Sequence, residues 1–184
     1  MQSNKHSVLN ATYALILSFL FLLAAPPSAI ADINTNSYDG NIFALYAGNG
    51  ALVPPSTSLE EAVKLKKPIL LAFYLDDNNS SKRFAPLLSD LQGRWGKDVE
   101  LIALPSDPYK VDPSAPNTSP NHYWNGMVPQ IVVIDASTNV LFSGQGNMNE
   151  AEIEQALAKA TGRSAGNEPR SKRSFNEYNS EFSS

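Results

Sequence analysis

Residues 69–91 read ILLAFYLDDNNSSKRFAPLLSDL. The first seven, Ile69 to Leu75, form a continuous apolar run without polar alternation, the pattern of a strand buried on both faces of a sheet. A polar break follows, Asp76-Asp77-Asn78-Asn79-Ser80-Ser81. Beyond it Phe84, Leu87, Leu88, Leu91 and Trp95 recur at three- and four-residue spacing, one apolar stripe of a helix. Pro86 falls inside that helix and predicts a kink.

Working outward, Val99 to Leu104 predicts a second short strand. Residues 105–127 carry Pro105, Pro108, Pro113, Pro116 and Pro120, a distribution that predicts irregular chain without helix or central strand. Gln130–Asp135, a turn over 136–139 and Val140–Gly144 predict a hairpin. Asn149 with Glu152 caps a last helix bearing Ile153 and Leu157. Upstream, Ser58 with Glu61 starts a helix running to about Lys67, after the chain break at Pro54-Pro55. Ile42–Ala47 predicts a strand, ended by Gly48-Asn49-Gly50. Alternation first and a hairpin last imply a mixed central sheet in a three-layer α/β/α domain.

The ends of the chain read differently. Lys5 precedes the apolar run Ala14–Ala25, which is shorter than the roughly 20 residues of a membrane span and leads to Ser28-Ala29-Ile30-Ala31, a signal-peptidase pattern. Residues 1–31 therefore predict an export signal or uncleaved anchor. Residues 32–41 are polar and turn-rich and predict a tether, with the domain spanning 42–162. Residues 163–184 predict a disordered tail. Within it Phe175, Tyr178 and Phe182 follow Arg170, Lys172 and Arg173, at the spacing of a short amphipathic motif.

The whole chain has 184 residues, 17% charged, a net charge of −4 and no cysteine. The acidic balance argues against a nucleic acid as partner. The zero removes disulfides, thiolate catalysis and Cys-rich metal sites, and two histidines make a His-based metal site improbable. No cofactor is implied.

Residues 69–91 resemble thioredoxin, a buried strand followed by a motif turn, a lysine and a kinked helix. The lysine corresponds to Lys82 and the helix proline to Pro86. The family's cis-proline before a hairpin strand matches Val128-Pro129, and the glycine after the hairpin matches Gly146. The departures bear on function. Asn78-Asn79-Ser80-Ser81 stands where the family carries Cys-Gly-Pro-Cys, Asp77 where it carries tryptophan, and Ala72 where it carries a buried aspartate. Thiol–disulfide exchange by this chain alone is excluded, because a serine hydroxyl supplies neither thiolate nor sulfur leaving group.

A more distant resemblance is to a cyanobacterial group of exported thioredoxin-like proteins, the thylakoid membrane photosystem I accumulation factors. SYDGNIFALYAGNGALVPP (37–55), EAVKLKKPILLAFYLDD (61–77) and the proline-rich loop before GMVPQ (126–130) are similar to that group. The resemblance implies a non-enzymatic assembly factor in the thylakoid membrane or lumen, peripheral or anchored, with a protein client such as a photosystem I subunit or assembly intermediate. A periplasmic or lumenal chaperone-like adaptor unrelated to photosynthesis is the first alternative, and a non-thiol enzyme on this fold the second.

By resemblance, Val128 and Pro129 would present a backbone edge to an extended client segment. Asp76, Asp77, Asn78, Asn79, Ser80 and Ser81 would form a polar rim, although helix capping alone also accounts for these residue types. Tyr123 and Trp124 would anchor a partner from the loop, or else pack over the sheet edge. Ser80 or Ser81 with His122 and Asp76 or Asp77 has the residue types of a catalytic triad, but no nucleophile elbow accompanies them.

Overall fold

The computed structural model describes residues 31–163 and, outside that span, Tyr13. The export signal and the tail motif lie outside the described residues.

The central strand β1 (Ile69–Tyr74) is buried at all six positions. It pairs in parallel with β2 (Glu100–Pro105) and antiparallel with β3 (Gln130–Ile134), which continues antiparallel to β4 (Val140–Gln145). The sheet order is β2-β1-β3-β4, mixed as the sequence predicts. Successive side chains of a strand point to opposite faces, so β1 feeds two separate cores. Leu70, Ala72 and Tyr74 face one, with Ile131 and Val133; Ile69, Leu71 and Phe73 face the other, with Val132 and Ile134.

Helices fill both faces. The first core takes α1 (Ile42–Ala47), α3 (Asn79–Trp95) and α5 (Glu150–Thr161). The second takes α2 (Leu59–Lys64) and the short α4 (Pro120–Tyr123). The result is the three-layer α/β/α arrangement. The helix α3 runs through the exposed Pro86 over its full span, burying Phe84, Leu88, Leu91 and Trp95.

Two readings are corrected. Residues 42–47 form the helix α1, not a strand. Asn41 Oδ1 accepts the N–H groups of Phe43 (2.9 Å) and Ala44 (3.2 Å), two of the orphan donors of a helix start. At the other end Gly48 takes φ +61°, a left-handed cap in which the Asn49 N–H reaches back to the Phe43 carbonyl at 2.9 Å. Ile42 and Phe43 enter the core, with Phe43 edge-on to Tyr74 at 4.9 Å. Second, the proline-rich loop does contain a helical turn, because Pro120 occupies its first position, where the missing N–H is an orphan anyway.

The helix α5 is fastened to α3 by Arg94, which reaches Asp90 (2.7 Å), Glu150 (2.9 Å) and Glu154. Glu154 also accepts the Trp95 indole N–H at 3.0 Å. Glu154→Ala strips a partner from both neighbours, so unfolding free energy should fall by about 1–2 kcal/mol. Urea titration at low and high salt checks this. A loss of stability unaffected by salt would assign it to the indole bond alone.

Candidate functional site

The candidate site is the end of the sheet where β1 leaves and β3 begins. Phe73 pairs with Gln130, which sets the start of β3 beside the turn into α3. Asn78 caps α3 by accepting the Ser81 N–H at 2.9 Å, and the fully buried Ser81 hydroxyl accepts the Leu75 N–H at 3.2 Å. Asp76 is half-buried and accepts the Ile42 N–H at 3.3 Å, holding α1 against the sheet end. Burial raises its carboxyl pKa, the Ile42 bond opposes this, and Asp77 and Asp107 add to the rise. Of the expected polar rim, Asp77 and Ser80 are exposed, Asp76, Asn78 and Asn79 are half-buried, and Ser81 is spent inside.

The stretch read as a tether, 32–41, is bonded onto this same end. Asn79 donates its N–H to Asn36 Oδ1 (2.9 Å) and its side-chain amide to the Asn34 carbonyl (3.4 Å). Lys82, fully buried, donates to the Asp32 carbonyl (3.2 Å) and pairs with Asp39. The Tyr46 hydroxyl donates to the same Asp39 carboxylate at 2.7 Å. The Lys82 hydrogen bond, then that of Tyr46, hold the Asp39 pKa down at about 2 against the effect of burial. Burial, then Asp39, push Tyr46 up to about 12.

A depressed carboxyl stabilises the fold above its ordinary value of 3.8, and that contribution disappears as pH falls through about 2. Amide exchange over 32–41 should therefore accelerate between about pH 4 and pH 2, and Asp39→Asn should flatten that dependence. An identical acid profile in the variant would deny Asp39 this role.

On the other side of β1, Val128-Pro129 is a cis peptide. Pro129 is buried and its carbonyl accepts the Gly146 N–H at 2.8 Å; Gly146 sits at φ +64°, a conformation glycine adopts freely. Val128 is half-buried and Met127 is 55% exposed. Neither residue's backbone N–H or C=O is hydrogen-bonded to the backbone of another described residue. Tyr123 and Trp124 are buried: Trp124 packs on Phe73 at 5.0 Å, and the Tyr123 hydroxyl donates to the Asn117 carbonyl at 3.0 Å. They support the loop from beneath.

The triad residue types do not meet. His122 Nδ1 bonds the Ala115 carbonyl at 2.8 Å, Ser80 bonds Asn79, and Ser81 bonds Leu75. No cluster of His, Asp and Glu among the described residues would hold a metal ion.

No family model matches the chain. It is 35% identical over 165 residues to "Thylakoid membrane protein slr1796" of Synechocystis sp., an alignment covering 88% of this chain and 82% of that protein. This chain belongs to that thylakoid protein's family. The fold is thioredoxin-like, with the β1–α3 unit, the cis-proline and the closing hairpin and helix in their expected places. Among solved structures, the thioredoxin family protein from Chlorobium tepidum TLS, a thiol:disulfide interchange protein, aligns at TM-score 0.41 and 15% identity over 58% of this chain and 92% of its own. The pneumococcal lipoprotein thioredoxin Etrx1 aligns at TM-score 0.41 and 14% identity, over 56% and 96%.

Two residues of this thylakoid family member escape a reading of the sequence. Gln130 looks like the polar start of a strand, yet its fully buried side chain donates to the Tyr123 carbonyl (2.6 Å) and accepts the Asn125 N–H (3.1 Å). Asp39 looks like an ordinary turn residue. A lysine in the first turn of a helix, just ahead of its buried stripe, is the one signal that asks for such a partner. Among the described residues no helix is long and apolar enough to cross a membrane.

Proposed function

We propose that this chain is an exported, redox-inactive thioredoxin-like factor of the thylakoid membrane that promotes photosystem I accumulation by holding an extended segment of a client protein. The name of its relative supports the membrane, and the resemblance of residues 37–55 and 61–77 to the accumulation factors supports the task. One observation carries the mechanism. Met127 and Val128 present backbone groups unpaired with any other backbone group, on a loop held from below by Trp124 and Gln130. An unpaired extended edge takes up a client strand through main-chain hydrogen bonds, which need no thiol. In this reading Asp77 and Ser80, exposed in the turn into α3 and its first residues, supply the polar rim.

The test places a photo-crosslinking residue at Met127 and, as control, at the comparably exposed Leu65, which ends the helix α2. After irradiation of native thylakoid membranes, mass spectrometry identifies the adducts. Photosystem I subunits joined to position 127 and absent from 65 support the proposal. Adducts of proteins unconnected with photosynthesis replace it with the adaptor reading, and equal adducts from both positions overturn the edge.

A further inference from the structure

Lys82 is the one charged side chain among the described residues that is fully buried. A buried ammonium is costly unless an anion and further acceptors meet it. Its acceptors, the Asp39 carboxylate and the Asp32 carbonyl, both come from residues 32–39, 43 and 50 positions away in the chain. The Tyr46 ring completes the pocket, its centroid 5.7 Å from the ammonium. The same segment satisfies the first turn of the 17-residue helix α3, through Asn36 Oδ1 on the Asn79 N–H. It binds as a peptide ligand would, folded by a turn in which the Thr35 N–H reaches the Asp32 carbonyl at 3.2 Å, with a carboxylate on the lysine and an amide oxygen on the helix donor.

Little else holds the segment in place. Asn34, Thr35, Asn36 and Ser37 are exposed, and Tyr38 is 74% exposed. It is fixed by polar contacts, with few apolar ones to hold it against competition. Gly40, at φ +118°, forms the joint to α1.

We infer that residues 32–39 are an intramolecular ligand of the α3 end, and that this end accepts in their place an acidic, turn-forming segment of another protein. The incoming segment sets a carboxylate against Lys82 and an amide or carbonyl oxygen against the Asn79 N–H. This rests on the reading that the α3 end faces a protein client, and it adds the chemical class of that client and a gate on its entry.

The experiment uses the full chain in detergent and a fluorescent peptide of residues 31–41, ADINTNSYDGN, followed by anisotropy. In the wild type the peptide competes with its own tethered copy, whose effective concentration is of millimolar order. Asn36→Ala with Asp39→Asn weakens the tethered copy while keeping an oxygen for Lys82. The peptide should then bind at least about tenfold more tightly than to the wild type. Asn36→Ala alone, at an exposed position, should give a smaller gain of the same sign. Binding should vanish when the peptide carries alanine in place of Asp39, or when Lys82→Met is added to the opened chain; thermal unfolding checks that each variant is folded. Equal affinity for wild type and opened chain overturns the inference, as does binding indifferent to Lys82. A photosystem I adduct at Met127 together with either result would remove the gate and leave the client edge standing.

Discussion

Phe73→Ala should lower the unfolding free energy by about 3–5 kcal/mol, the cost of truncating a buried aromatic in a tightly packed core. Its ring is completely buried and stands between Tyr109 at 5.7 Å and Trp124 at 5.0 Å, one from each end of the long loop. Truncation therefore loosens both ends of residues 109–124 at once, in addition to opening a cavity. Leu88→Ala, in the core on the opposite face of the sheet, should cost about 2–5 kcal/mol without touching that loop. Urea unfolding gives the two stabilities, and amide exchange over 109–127 separates the two mechanisms. Exchange in the loop should rise in Phe73→Ala well beyond that in Leu88→Ala. If both variants exchange alike, the loop is ordered by something other than the Phe73 ring.

The sequence reveals the elements whose signals are local. The strand β1, the stripe of α3, the hairpin and the Asn149 cap of α5 each announce themselves within about a dozen residues. The cis-proline and Gly146 became readable through family resemblance, and the structure joins them by one hydrogen bond between Pro129 and Gly146. Residues 42–47 read as a strand, although they form a helix, because six apolar residues have no decisive period. Asn41 and Gly48, which settle the matter, look like generic turn residues until their bonds are seen. The docking of 32–41 was hidden for a different reason, since its partners Asn79 and Lys82 lie more than forty residues away. A polar, turn-rich segment that packs through long-range hydrogen bonds has the same composition as one that does not pack. Tyr123 and Trp124, in a proline-rich loop, read equally as surface anchors and as packing over the sheet edge; their burial, with Trp124 against Phe73, is the packing alternative.

The absence of cysteine takes on a location in the structure. Asn78 and Ser81 stand where the resembled motif has its thiols, and both are committed to the backbone at the start of α3. Segment 32–41 then lies over Asn79 and Lys82. Positions that serve exchange in the resembled family serve architecture here, while Met127 and Val128, beside the cis-proline, keep backbone groups unpaired with the backbone of any other described residue.

That edge depends on Gln130, and Gln130→Leu is the sharper perturbation of it. Leucine is close to glutamine in volume, so the core stays filled, but the Tyr123 carbonyl and the Asn125 N–H lose their shared buried partner. Each unsatisfied group costs about 1–3 kcal/mol, and the pair should lower stability by about 2–4 kcal/mol. Gln130→Glu distinguishes the bond from the volume. A protonated glutamic acid still donates to the Tyr123 carbonyl, whereas the carboxylate sets two acceptors against each other in a buried site. Its folded-state pKa is therefore raised above the ordinary glutamate value by burial and by the lost donor. A raised acid contributes most below its unfolded pKa of about 4.3, and the variant loses stability as pH rises above it. Thermal midpoints of Gln130→Glu should fall toward the leucine variant's between about pH 4 and pH 7, while Gln130→Leu changes in parallel with the wild type. A glutamate variant that also tracks the wild type across this range would show that the donor to Tyr123 contributes nothing. Released from Gln130, Tyr123 and Asn125 no longer fix the approach to Val128, so photo-crosslinking from Met127 should decline in the leucine variant even below its unfolding temperature.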